Sequence, residues 1–399
     1  MPAGLYYTLF GDPGNYTRDG RNFLEAVWSR PVGADGGLRW RFSYEQFRYR
    51  GRYDYAQSDA PVLDQRDEAL GDWLGTQLYY RRPLKGLGDL TVGGEANADL
   101  RNLQQNYLVA PAFEQQLRVS ARDASYALFA QQEWPLRPHW TLYGGLRLDD
   151  SRLHRRYASP RAALVWKPSP TRALKFIYGR AFRNPSAYEM FYSTADGYYL
   201  GNPSLGPERM QTLETAWEQK LAGGLELVAT GYRYRLRDLI GDTELPAGGL
   251  QFRNLAQARA TGFELEIRGR PWDRWETAAA VALQRARASG DAGRPVNSPR
   301  AVAQGRAAVP LFAQRLTVAA ALRYLSSRLD RAGGALAGVA LLDLTASTHR
   351  LHRDFDLSFG VRNLLDARYA DPLSPEHPAL RMPRAGRTMF LKLVWRQGG

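Results

Sequence analysis

The 399-residue chain contains no cysteine and only five histidines, and lysine is nearly absent, occurring at Lys85, Lys167, Lys175, Lys220 and Lys392. Without cysteine there is neither a disulfide framework nor a thiolate metal site. A metal centre needs several convergent ligands, and only His349 and His352 lie close together in sequence, flanking a short turn. No metal or other cofactor is expected. Enzymatic activity is not expected either: acid pairs such as Glu264 and Glu266 read as one wetted strand face, and nothing resembles a nucleophile elbow. The chain also lacks any run of about 18 apolar residues, which excludes a transmembrane helix. Helical periodicity never persists for three turns. Met1 to Gly20 has no basic start, apolar stretch or small-residue cleavage site, which leaves either a protein that is not secreted or one whose beginning is missing.

The net charge of +14 is carried almost entirely by arginine, which is scattered through nearly every segment alongside Asp and Glu. Scattered charge is not the clustered footprint of nucleic-acid binding, and no nucleic-acid partner is expected. Mean hydropathy of −0.46 is that of a soluble protein. It misleads for a membrane barrel, because only alternate residues of each strand face lipid.

Segments of about ten alternating residues fill the sequence. In Asp354 to Asn363, Phe355, Leu357, Phe359 and Val361 fall on one side of an extended chain, and Asp356, Ser358, Gly360 and Arg362 on the other. Phe263, Leu265 and Ile267 oppose Glu264, Glu266 and Arg268 in the same way. About seventeen such strands follow residue 20, with a partial one at Gly4 to Phe10. The connections alternate between short and long. Short ones include Pro31–Gly37, Pro135–His139 and Pro271–Arg274, and long ones include Gly51–Gly71, Arg101–Asp123, Arg183–Glu208, Asp238–Asn254, Ala288–Arg300 and Leu364–Gly386.

Strict alternation gathers the short turns at one end of an up-and-down sheet and the long loops at the other, as in outer-membrane barrels with short periplasmic turns. A Greek-key sandwich gives no reason for it. Trp28, Trp40, Trp134, Trp140, Trp166, Trp272, Trp275 and Trp395 all sit beside short turns or chain ends, where an interfacial girdle belongs. The fold expected is therefore all-β: an antiparallel up-and-down transmembrane β-barrel, integral to the outer membrane and in contact with its lipid. A sheet of some seventeen or eighteen strands closes too wide for side chains to fill, so its interior is wet or plugged.

Two boxes carry a family resemblance. Phe182, Arg183, Asn184 and Pro185 are followed by Tyr188 and Glu189, and the same long loop closes with Asn202, Pro203, Leu205, Pro207 and Glu208. With Val361–Pro372 and Pro383–Trp395, these motifs resemble the C-terminal half of TonB-dependent outer-membrane receptors. The resemblance implies a 22-stranded barrel with an N-terminal plug that contacts TonB, and uptake of a scarce ligand such as a ferric siderophore. Residues 1–399 then read as one barrel domain truncated at its N-terminus. The plug, the TonB-contacting segment and about four strands are absent, so active transport by this chain alone is not expected. Gln397, Gly398 and Gly399 stand where such barrels end in an aromatic residue.

Within the loop, Pro185, Pro203 and Pro207 read as ladder ends, because proline cannot donate to the ladder. Arg183, Glu189 and Glu208 read as a charged brace. Tyr188, Phe191, Tyr192, Tyr198 and Tyr199 offer stacking area to a metal chelate or similar small ligand, or else anchor the loop at the girdle. No histidine lies between Phe182 and Glu208, which argues against haem. The alternative reading is a passive, porin-like channel of eighteen strands.

Overall fold

The computed structural model describes residues 8–9, 11–55, 62–154, 156–193, 199–246, 248–272, 274–289, 294–348, 355–374, 377 and 379–395. Seventeen strands form one wall: β1 (Tyr16–Val32), β2 (Gly36–Tyr55), β3 (Leu63–Leu84), β4 (Gly88–Ala110), β5 (Ala124–Arg137), β6 (Trp140–Ser151), β7 (Tyr157–Ser169), β8 (Arg172–Arg183), β9 (Glu208–Lys220), β10 (Leu225–Glu244), β11 (Leu250–Gly269), β12 (Glu276–Ala288), β13 (Ala301–Leu311), β14 (Leu316–Leu325), β15 (Val339–Thr348), β16 (Phe355–Arg362) and β17 (Thr388–Trp395). Two short pieces, Glu114–Ser120 and Tyr199–Leu200, complete the nineteen-stranded sheet. Each wall strand pairs antiparallel with the next. Among the described residues no ladder joins β1 to β17.

The register carries one apolar face across the wall. Trp28 lies opposite Trp40, Trp40 opposite Leu78, Leu78 opposite Gly94 and Gly94 opposite Leu128. Further along, Leu164 pairs with Phe176, and Phe263 with Leu283. Because side chains alternate with a period of two, a one-residue slip anywhere would break this face. Its members are exposed although large and apolar: Phe263 46%, Leu283 50% and Leu391 70%. A protein core would cover them, whereas bilayer hydrocarbon covers them only in place. Trp140 and Trp166 stack at 5.6 Å beside the short turns, where a girdle belongs.

The opposite face is polar and self-paired. Arg147 donates to Glu95 at 3.0 Å and to Asp149 at 2.8 Å, and Arg323 donates to Asp343 at 3.2 Å. Glu264 and Glu266 lie on this inner face, opposite Ala282 and Ala280. Gly262 lets the Tyr232 ring lie flat on the wall there, since a Cβ would stand 2.5 Å from it.

Three of the expected long loops are mostly ladder. β2 continues to Tyr55 and β3 begins at Leu63, β4 runs to Ala110 with Glu114–Ser120 paired against its end, and β10 and β11 leave only a short connection between Glu244 and Leu250. β3 has 22 residues and β4 has 23, whereas about 9–11 tilted residues cross a bilayer. Apolar alternation stops at the membrane edge, but backbone pairing does not depend on it, so the sheet stands well above the apolar band. The expected strand at Gly4–Phe10 lies outside the described residues except for Thr8 and Leu9, and Leu9 N–H donates to the Asp54 carbonyl at 2.8 Å.

Candidate functional site

The segment 184–207 connects β8 to β9 at the long-loop end. Arg183, the last residue of β8, faces two carboxylates. Its Nε donates to Glu208 Oε2 at 2.6 Å, and its two terminal nitrogens donate to the two Glu189 oxygens at 2.9 Å each. This planar fork matches a carboxylate in two bonds at once, a geometry lysine lacks. Glu208 Oε1 accepts from the Ile240 N–H at 2.8 Å, tying the brace to an irregularity in β10.

Glu189 belongs to α1 (Ala187–Phe191), the short helix in this loop. The Ser186 side chain accepts from the Glu189 N–H at 3.2 Å, and Glu189 accepts from the Ser186 N–H at 2.7 Å, making a reciprocal capping box. Burial alone would raise the Glu189 carboxyl, but Arg183 and the Ser186 N–H and hydroxyl outweigh it and hold the group below its ordinary 4.5. A depressed carboxylate stabilises the fold fully above its unfolded value, and that stabilisation is lost as pH falls through the folded value. Amide protection over residues 186–192 is therefore expected to be constant from neutral pH down to about 4.5 and to fall below it. Hydrogen exchange corrected for intrinsic rates measures this, and Glu189→Gln should flatten the dependence.

The second box is held by asparagines. Asn202 Nδ2 donates to the Phe252 carbonyl at 2.8 Å, and Asn202 Oδ1 accepts from the Ser204 N–H at 3.2 Å. Asn254 accepts from the Gly206 N–H at 2.7 Å and donates to the Asp238 carbonyl at 2.8 Å. Pro185, Leu205 and Pro207 are buried, Pro203 is exposed, and Phe182 packs its ring 4.5 Å from Tyr157.

Four aromatic rings meet above this base. Tyr188 lies 4.5 Å from Tyr192 and 5.8 Å from Phe252, and Tyr192 lies 5.9 Å from Tyr199, centroid to centroid. Asn106 Nδ2 on β4 reaches the Tyr192 hydroxyl at 3.4 Å. β4 is four strands away from β8 along the wall, so this contact ties the loop to a part of the rim well beyond its own strands. Asn106 is only 3% exposed, and its Oδ1 is buried with no hydrogen-bond partner. Phe191 ends α1, half-buried. Tyr198, His349 and His352 lie outside the described residues. Asn106, Phe252 and Asn254 were not legible as site residues, because they meet the loop from 48 to 86 positions away and no local spacing announces them.

The family model described as TonB dependent receptor-like, beta-barrel matches residues 2–364. The vitamin B12 transporter BtuB of Vibrio cholerae serotype O1 is 30% identical over 162 residues, covering 36% of this chain and 25% of that protein. An iron-regulated outer membrane virulence protein of the same organism is 28% identical over 134 residues, covering 33% of this chain and 21% of that protein. The chain matches only about a quarter of the length of these curated relatives. Among solved structures, the copper transporter OprC superposes with a TM-score of 0.76 at 18% identity, covering 96% of this chain and 66% of that one. The pyoverdine receptor FpvA of Pseudomonas aeruginosa PAO1, bound to pyoverdine, gives 0.76 at 15% identity, covering 96% and 62%.

Proposed function

The chain belongs to the TonB-dependent receptor family, whose β-barrel it matches over residues 2–364, and from that premise we propose that this outer-membrane barrel receives a metal chelate, a ferric siderophore, at the mouth formed by segment 184–207. Uptake would be driven through TonB. The observation that carries the reading is the cluster of Tyr188, Tyr192, Tyr199 and Phe252, held at the mouth by a charged brace and touching β4, four strands along the wall, at Asn106. Clustered rings with a few polar groups suit a ligand that presents planar aromatic chelating rings, as the catecholates of a ferric siderophore do. Structural neighbours named as a copper transporter and as a receptor bound to ferripyoverdine are in keeping with a metal-bearing ligand.

A ferric tris-catecholate tests this, with binding followed by quenching of intrinsic tryptophan fluorescence. Stacking contributes about 0.5–1.5 kcal/mol per ring pair. Tyr188→Ala together with Tyr192→Ala should therefore weaken binding about tenfold. Unchanged affinity in that double variant would remove the aromatic cluster from the site.

A further inference from the structure

Above the apolar band, the outward face of β8 to β12 turns to arginine. Phe263 and Leu283 pair within the band. One outward step higher, Thr261 stands between Arg233 and Arg285. The next step is a continuous row in which Arg180 lies opposite Gln211, Gln211 opposite Arg235, Arg235 opposite Arg259 and Arg259 opposite Arg287. Directly opposed side chains sit with Cβ atoms about 4.5–5.5 Å apart, and like charges placed so destabilise a sheet. Among the described residues no carboxylate forms an ion pair with any arginine of these two steps. Arginines read as scattered along the sequence are thus gathered by register, from strands separated by loops, into one uncompensated patch.

Beside the row opens a cleft of about 340 Å³, lined by Arg285 and Arg287 together with Gln284, Arg294, Ser298 and Arg300. Arg294 is held in place by donating to the carbonyls of Ser298, at 3.2 Å, and Ser327.

We propose that this arginine row and its cleft bind the phosphate groups of a phosphorylated lipid headgroup at the outer surface of the bilayer. Guanidinium forks match phosphate oxygens in pairs, and a phosphate inserted among opposed arginines relieves their repulsion. The patch lies within two outward steps of Phe263 and Leu283, so a lipid whose headgroup sits there can lay its acyl chains on the apolar face. A free anion gains nothing from that face.

The test uses the full chain refolded in dodecyl maltoside and titrated with diphosphorylated lipid A, with native mass spectrometry counting the retained lipid. Losing three charge-assisted partners in Arg235→Gln/Arg259→Gln/Arg287→Gln should weaken retention at least about tenfold. The inward-facing pair Arg306→Gln/Arg323→Gln should leave it unchanged. Lipid A stripped of both phosphates should bind the unaltered chain far more weakly, a readout that holds even if the triple variant does not fold. Equal retention by the folded triple variant, or equal binding of dephosphorylated lipid A, would overturn the proposal. So would competition by inorganic phosphate at the concentration at which lipid A itself binds, since that would make the site one for free anions.

Discussion

Leu265→Arg is expected to lose about 2–4 kcal/mol of folding free energy in phosphatidylcholine vesicles, the cost of an arginine near the midplane of a barrel's lipid face. Leu265 lies on β11 between Phe263 and Ile267, opposite Ala229 and Val281, in the middle of the outward apolar band. A loss of about 3 kcal/mol is a shift of roughly 150-fold in the folded ratio, readily seen in urea titrations followed by heat-modifiable gel mobility. Glu264→Arg, one residue away but on the wetted face opposite Ala282, makes a larger formal charge change. It should stay within about 0.5 kcal/mol of the parent, as substitutions in contact with water usually do. Two adjacent substitutions with such different costs are what a membrane wall requires. Equal costs would place both faces in the same solvent.

Arg183→Ala should open the mouth loop. Glu189 and Glu208 keep only 15% and 18% of their side-chain surface exposed, and both depend on this one guanidinium. Removing one partner of a deeply buried pair typically costs about 3–5 kcal/mol. Arg183 is itself 47% exposed, so solvent screening reduces the expected loss to about 2 kcal/mol. That loss is a local opening equilibrium rather than global unfolding, since the ladder between β8 and β9 does not require it. Hydrogen exchange of residues 186–207 should accelerate about thirtyfold while β8 and β9 stay protected. Arg183→Lys keeps the charge but cannot reach three oxygens with one planar fork, so it should recover only part of the protection. Exchange rates equal to the parent's in Arg183→Ala would mean that proline and asparagine contacts alone hold the loop.

The strand pattern was legible because a sheet with hydrocarbon on one side and water on the other imposes a period of two on every crossing, as Phe355 to Arg362 shows. The extensions of β2 to β4 and of β10 and β11 were not. Above the membrane both faces meet water, so in Arg48–Tyr55 the outward positions carry Arg48, Arg50, Arg52 and Asp54, and the apolar face ends while the backbone pairing continues. The brace could be anticipated from Arg183, Glu189 and Glu208, since charged residues flanking a proline-bounded loop have few partners but one another. The helix that carries Glu189 left its own trace in Ser186 and Glu189, a capping-box spacing. Asn106 left none, since its position over the mouth depends on a bulge in β4 opposite Asp72 and Trp73. The arginine row was hidden for a similar reason: Arg235, Arg259 and Arg287 become neighbours only through pairing register.

The absence of cysteine allows single cysteines to be read without background. With the chain folded in lipid vesicles, cysteines placed in turn from Ala278 to Gln284 on β12 can be labelled with a water-soluble maleimide and with a bilayer-confined reagent. The water-soluble reagent should label positions 278, 280, 282 and 284, and the bilayer-confined one positions 279, 281 and 283. Failure of the bilayer reagent to label Ala279, Val281 and Leu283 would contradict the placement of this face against outer-membrane lipid.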